Sequence, residues 1–193
     1  SYVGGIVTHR VGTDGSYNVL YGSDAVFRLF GQDYITLNWA QSFDDTDESL
    51  SGVDVLDRGL VRAEWQRRGT DGLTYRAGLT RAGDVFEPGM GFLRRQDYLN
   101  GNGQVGYGWR PGAGSALNSY GFSFNGGFYR RNADDSYQSG NVGLQGDLQT
   151  RGGHSFNLSA TRSYEDLTRT FRLSSDAFVP VGSYWFTEAQ IRY

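Results

Sequence analysis

Residues 33–43, DYITLNWAQSF, place Ile35, Leu37, Trp39 and Phe43 on one side of an extended chain and Thr36, Asn38 and Ser42 on the other. Such alternation marks a strand with one apolar face, because successive strand side chains point to opposite sides. The neighbouring segments repeat it. In YNVLYGSDAVFRLF, residues 17–30, Tyr17, Val19, Tyr21, Ala25, Phe27 and Leu29 oppose Asn18, Gly22, Asp24 and Arg28, with Leu20 and Val26 as exceptions. Residues 60–68, LVRAEWQRR, set Val61, Ala63 and Trp65 against Arg62, Glu64, Gln66 and Arg68. Leu73, Tyr75, Ala77 and Leu79 oppose Thr74, Arg76 and Thr80. Phe122 and Phe124, Val142 and Leu144, and Phe156 and Leu158 continue the apolar face downstream. Helical spacing fits none of these runs comparably.

Turn chemistry separates the runs: GTDGS at 12–16, FGQD at 30–33, GTDG at 69–72, PGAGS at 111–115, NADDS at 132–136 and RGG at 151–153. Gly, Asn and Asp reach the left-handed conformations that tight hairpins need. The repeated GTDG hints at a hairpin repeat. About eleven strands are expected, within a range of 10–12, each roughly 8 to 14 residues long. That exceeds the usual globular strand and suits a tilted membrane-spanning one. In a meander the connections alternate between two ends. One end collects FGQD, GTDG, RPGAGS and RGG. The other collects GTDGS, the acidic 44–57 stretch, GDVFEPGMGF, NADDS and the SYEDL region. Short turns opposite long acidic loops is the outer-membrane barrel asymmetry. The SSDAFVPVG connection then falls on the short side, for which it is too long.

Composition narrows the classes. The net charge of −3 offers no global basic field for nucleic acid. Cysteine is absent, so disulfides and thiol chemistry are excluded. No apolar run approaches a spanning helix, which leaves a membrane barrel open because its apolar residues are diluted by alternate polar ones. The chain begins SYVGGIVTHR, in which no signal peptide is read.

GDVFEPGMGFLRR at 83–95 resembles a signature of large bacterial outer-membrane proteins. Those proteins pair an N-terminal carbohydrate-binding domain, like the family-nine module of xylanases, with a long C-terminal barrel domain of unknown function. YNVLYGSDAVFRLFGQDYITLNWAQSF and AFVPVGSYWFTEAQIRY look like segments of the same barrel domain. The resemblance implies a bacterial outer-membrane location, lipid as partner, and a link to a saccharide or other small solute by domain association only. It also implies a longer chain. The alternation of Trp185, Ala189, Ile191 and Tyr193, by contrast, resembles the aromatic-ended last strand of such barrels.

The expected architecture is therefore all-β: an antiparallel up-and-down meander over 1–193, forming all or part of a transmembrane β-barrel. Asp24, Arg28, Arg62, Glu64, Arg68 and Arg76 are the lumen-facing charged candidates, as a charge-selective lining or a mutually paired ladder. Asp84, Phe86, Pro88, Phe92, Arg94 and Arg95 are the rim-loop candidates. In that loop Pro88 ends pairing, Gly89 and Gly91 permit a bend, and Phe86, Met90 and Phe92 tuck against the barrel mouth. Tyr17, Tyr34, Tyr75, Trp109, Tyr120, Tyr184 and Trp185 are candidates for interfacial girdles.

DDTDES at 44–49 spaces its oxygens like a calcium loop but lacks the later Gly and Glu, so a solvated acidic loop is read and no metal. No nucleophile elbow, HExxH or P-loop appears, and neither catalytic residue nor cofactor is assigned. The expected function is a non-enzymatic membrane scaffold or channel. One alternative is a soluble lipocalin-like barrel holding an apolar ligand, with the aromatic face inward. Another is a barrel-borne hydrolase, requiring His9 or His154 beside an acid and a hydroxyl.

Overall fold

The computed structural model describes residues 1–45 and 54–193. The strands are β1 (Tyr2–Val11), β2 (Tyr17–Arg28), β3 (Asp33–Asp44), β4 (Gly59–Arg67), β5 (Gly72–Ala82), β6 (Tyr98–Trp109), β7 (Leu117–Arg131), β8 (Tyr137–Thr150), β9 (Ser155–Leu167), β10 (Phe171–Arg172), β11 (Phe178–Val179) and β12 (Gly182–Arg192). Among the described residues there is no helix. The chain is thus all-β, as the alternation requires.

Ten strands form one antiparallel meander in the order β1-β2-β3-β4-β5-β6-β7-β8-β9-β12, and β10 with β11 makes a separate hairpin. The sheet is open, since β1 and β12 stand at the two ends of the order. The sheet holds ten strands, within the expected range of 10–12. SYEDL is not a turn: it forms the end of β9, which pairs with β12 from Leu167↔Gly182 to Asn157↔Arg192. This moves the SSDAFVPVG connection to the opposite end. In chain order the connections 12–16, 45–58, 83–97, 132–136 and 168–181 follow the odd-numbered strands of the meander. Between them come the short connections 29–32, 68–71, 110–116 and 151–154. Both GTDG turns are hairpin connections, with Gly15 and Gly72 left-handed.

The ten strands run from 9 to 15 residues. Backbone proximity divides the chain into two compact units, Ser1–Gln66 with Gly78–Gly101 and Arg131–Asp135, and Arg67–Ala77 with Asn102–Arg130 and Ser136–Tyr193.

Burial is inverted relative to a water-soluble sheet. Among the described residues the buried apolar side chains are Ala82 and Phe86, whereas Asn18, Asp33, Gln41, Ser42 and Glu64 are buried polar ones. All seven belong to the first unit.

Candidate functional site

In the first unit, registers carry the alternation across three strands. Val3, Ala25 and Leu37 share one row, as do Gly5, Ser23 and Trp39, then Val7, Tyr21 and Gln41. The intervening rows are polar at their long-loop end: Thr8, Leu20 and Ser42, then Arg10, Asn18 and Asp44. Tyr21 stacks on Phe43 at 5.6 Å and meets Trp39 edge-on at 5.4 Å.

The 83–97 connection folds back onto that polar face and is held by backbone groups. Asn18 accepts from Gly89 N at 2.9 Å and donates to Glu87 O at 3.0 Å. Ser42 Oγ accepts from Glu87 N at 2.8 Å, and Arg10 donates to Gly89 O at 3.2 Å. Gln96 donates to Phe86 O at 3.3 Å. Pro88 O accepts from Gly91 N at 2.9 Å and closes a turn. The loop thereby satisfies polar groups that burial would otherwise leave unpaired.

Two glycines make this approach feasible. A Cβ on Gly89 would lie 2.5 Å from Asn18 Oδ1, and one on Gly83 would lie 2.0 Å from Asp57 O. Gly89 is thus required by close packing rather than by the bend expected from the sequence.

The neighbouring loops interlock with it. Val85 N donates to Asp57 O and Gly83 N to Gly59 O. Arg81 pairs with the Asp57 carboxylate at 2.8 Å and donates to Leu56 O. Asn132 Nδ2 donates to Ala82 O at 2.8 Å.

Of the rim-loop candidates, Phe86 is 3% exposed and anchors the loop, whereas Phe92 is 85% exposed and Met90 also points to the surface. The expected tucking of Met90 and Phe92 does not occur, because the Pro88–Gly91 turn carries them off the polar face. Asp84, Arg94 and Arg95 are exposed, and Pro88 is half-buried.

The charged candidates separate. Arg62 and Glu64 pair at 2.8 Å, with Glu64 only 6% exposed. Asp24 shares a row with Gly4 and Asn38. Arg28 bonds Gly31 O in the short 29–32 turn. Arg68 lies outside β4, in the 68–71 connection, because the strand ends at Arg67. Arg76 is exposed on β5. The acidic DDTDES segment lies outside the described residues from position 46 onward. Among the described residues, no group of three His, Asp or Glu side chains could hold a metal ion.

In the second unit, one face reads row by row. Tyr120 aligns with Leu148 and Phe156; Phe122 with Gly146, Leu158 and Ile191; Phe124 with Leu144, Ala160 and Ala189. Gly126 then aligns with Val142, Arg162 and Thr187, and Phe128 with Gly140, Tyr164 and Trp185. This apolar face is exposed: Phe122 by 57%, Leu144 by 60%, Leu158 by 56%.

No known protein family, curated protein or solved structure matches this chain.

Rings bracket the exposed face at both ends. At the short-turn end Trp109 stacks on Tyr120 at 5.1 Å, and Phe156 meets Tyr193 at 4.8 Å. At the long-loop end Tyr164 meets Trp185 at 5.0 Å and Phe128 meets Tyr137 at 6.0 Å. Tyr120 and Phe128 are separated by about 26 Å along β7, at roughly 3.3 Å per residue.

Tyr34 and Tyr184 depart from the expected girdle. Tyr34 pairs with Arg28 on the polar face, and Tyr184 pairs with Glu165 and donates to Pro180 O. Strand ends alone do not say which face a ring occupies. Tyr17 follows Val11 on the apolar face of the first unit, and Tyr75 lies beneath Arg67 at 5.3 Å.

His154 sits in the 151–154 turn, its Nδ1 2.8 Å from the Tyr193 hydroxyl, and His9 shares a row with Val19 and Phe43. Neither has a carboxylate partner among the described residues.

Proposed function

We propose that this chain is a non-enzymatic β-barrel of the bacterial outer membrane, serving as a scaffold or a narrow channel. One observation carries the reading: the aromatic and aliphatic face of the strands is exposed while the buried side chains are mostly polar. In water such a face would be hidden; in a bilayer it is the surface that meets lipid. The two ring clusters support it. A strand tilted by 35–45° turns their separation into about 20 Å of membrane depth, close to the apolar band of outer-membrane barrels. Loops that are long at one end and short at the other point the same way.

Lipid offers no hydrogen bonds to an open sheet edge, so in the membrane β1 and β12 acquire partners by closure, with each other or with further strands. The polar face becomes the lumen wall, with Asp24, Arg62, Glu64 and Arg76 facing a small solute or saccharide. The 83–97 loop, lying on that polar face, narrows the mouth. The resemblance of GDVFEPGMGFLRR to outer-membrane barrel domains agrees with this reading. A soluble lipocalin-like barrel would instead enclose the aromatic face. A rim hydrolase would need an acid beside His9 or His154.

Detergent dependence tests the proposal. The chain is folded in plain buffer and in detergent micelles, with β-content read by circular dichroism and closure by heat-modifiable gel mobility. A heat-modifiable β-structure in micelles alone is expected. A monodisperse, cooperatively melting protein in plain buffer would overturn the membrane reading and favour the soluble barrel.

A further inference from the structure

The five apolar-face rows of the second unit, from Tyr120–Leu148–Phe156 to Phe128–Gly140–Tyr164–Trp185, contain a single charged side chain, Arg162. It stands one row inside the ring cluster at the long-loop end. Its guanidinium lies over the Trp185 ring at 5.3 Å, and Nη1 donates to Thr187 Oγ1 at 3.0 Å. No carboxylate pairs with it among the described residues. Asp166 is the nearest acid on the same strand face, four residues further along β9, and its carboxylate accepts instead from Ser183 at 2.7 Å.

Beside Arg162 the surface opens into a cleft of about 420 Å³, whose walls include Phe128, Tyr137, Val142, Tyr164 and Trp185. Gly140, aligned between Phe128 and Tyr164, leaves the floor without a side chain. The lining is mostly apolar; its polar members are the Arg162 cation, Ser139, Asn141 and the two tyrosine hydroxyls. Two of its rows run directly into the exposed apolar band.

We propose that this cleft holds one membrane lipid by its headgroup phosphate. The phosphate meets Arg162, and an acyl chain lies along the Val142, Leu144 and Leu158 rows. The inference rests on the membrane reading above. Its chemistry is that of charge complementarity: a cation placed on a lipid-facing surface is costly near the bilayer centre and tolerable at headgroup depth, where an anion can reach it. The guanidinium fork suits a phosphate, and its stem can run along the apolar wall while the head reaches the interface.

Native mass spectrometry of the chain folded in dodecyl maltoside, titrated with dilauroylphosphatidylglycerol, tests this. Wild type is expected to retain one lipid. Arg162→Gln is expected to weaken retention by roughly tenfold or more, as loss of a charged hydrogen bond implies, and Arg162→Lys to recover part of it. Dilauroylglycerol, which lacks the phosphate, should not be retained, and millimolar inorganic phosphate should not displace the lipid. Equal retention by the wild type and Arg162→Gln, in samples with unchanged heat-modifiable mobility, would overturn the headgroup site and leave the membrane reading intact. Displacement by inorganic phosphate alone would make it a free-anion site and overturn the lipid assignment. A chain that folds only in plain buffer would remove both.

Discussion

The Asn18 side chain spans 71 residues of sequence to hold Gly89, accepting from its backbone N–H at 2.9 Å while donating to Glu87 O at 3.0 Å. Asn18 is itself 3% exposed. One amide thus closes two backbone groups of a loop that has no strand partner there. Asn18→Ala should strip both bonds and cost about 1–3 kcal/mol. The measurement is denaturant unfolding of the folded protein, with limited proteolysis in 83–97 as a local readout. Unchanged unfolding and unchanged cleavage would mean that the loop is held elsewhere.

Gly83→Ala should be worse than Asn18→Ala. Its new Cβ would collide with the Asp57 backbone, which cannot swing aside as a side-chain tip can. A loss of several kcal/mol or a failure to fold is expected, in the range of changes that force backbone shifts. A thermal melt comparable to that of wild type would show that the loop relaxes freely.

Phe86 and Phe92 differ by six positions and by nearly complete burial, 3% against 85% exposed. Phe86→Ala should cost about 3–4 kcal/mol, as for other buried aromatics. Phe92→Ala should stay within about 0.5 kcal/mol. Similar melting temperatures for the two variants would contradict the described packing.

Removing Arg62 takes one partner, at 2.8 Å, from the Glu64 carboxylate, which is 6% exposed. Because Arg62 is 43% exposed, solvent screens part of the pair. Arg62→Gln should therefore cost about 1–2 kcal/mol, below the full price of breaking a buried pair. The double variant with Glu64→Gln should recover most of that, and a double-mutant cycle reads the coupling directly. Additive costs would show that the two residues are independent.

In the 12–16 turn the Ser16 hydroxyl and then the Ser16 N–H bond the Asp14 carboxylate, at 2.7 and 3.1 Å, and hold its pKa below the usual carboxylate value. A depressed folded pKa stabilises the turn at pH values above the unfolded pKa, and that contribution is lost as pH falls through the folded pKa. Ser16→Ala should raise the Asp14 midpoint toward the ordinary value. Carbon-detected NMR titration of the Asp14 carboxyl reads this, and an unmoved midpoint would rule out the hydroxyl as the cause.

Much of the sheet was legible from side-chain period alone. DYITLNWAQSF is β3 almost to the residue, and the rows Ala25–Leu37 and Phe27–Ile35 join the apolar positions of two strands read separately. Turn residues located the hairpins for the same local reason. SYEDL misled because its acid pair mimics a turn, whereas pairing of Glu165 with Tyr184 and of Asp166 with Ser183 extends β9 through it. The site was less legible. Asn18 read only as one polar-face residue among many, and nothing in 83–97 named its partner.

Alternation, turn chemistry and the absence of cysteine are local properties of the chain, and they suffice for an all-β meander with one apolar face. Which residues meet across long separations is a different matter: the grip of Asn18 on Gly89, the packing of Gly83 against Asp57, the exposure of Phe92 and the isolation of Arg162 among apolar rows. Those follow from register and loop closure, where a contact's energy depends on groups far apart in the chain and no local period records them.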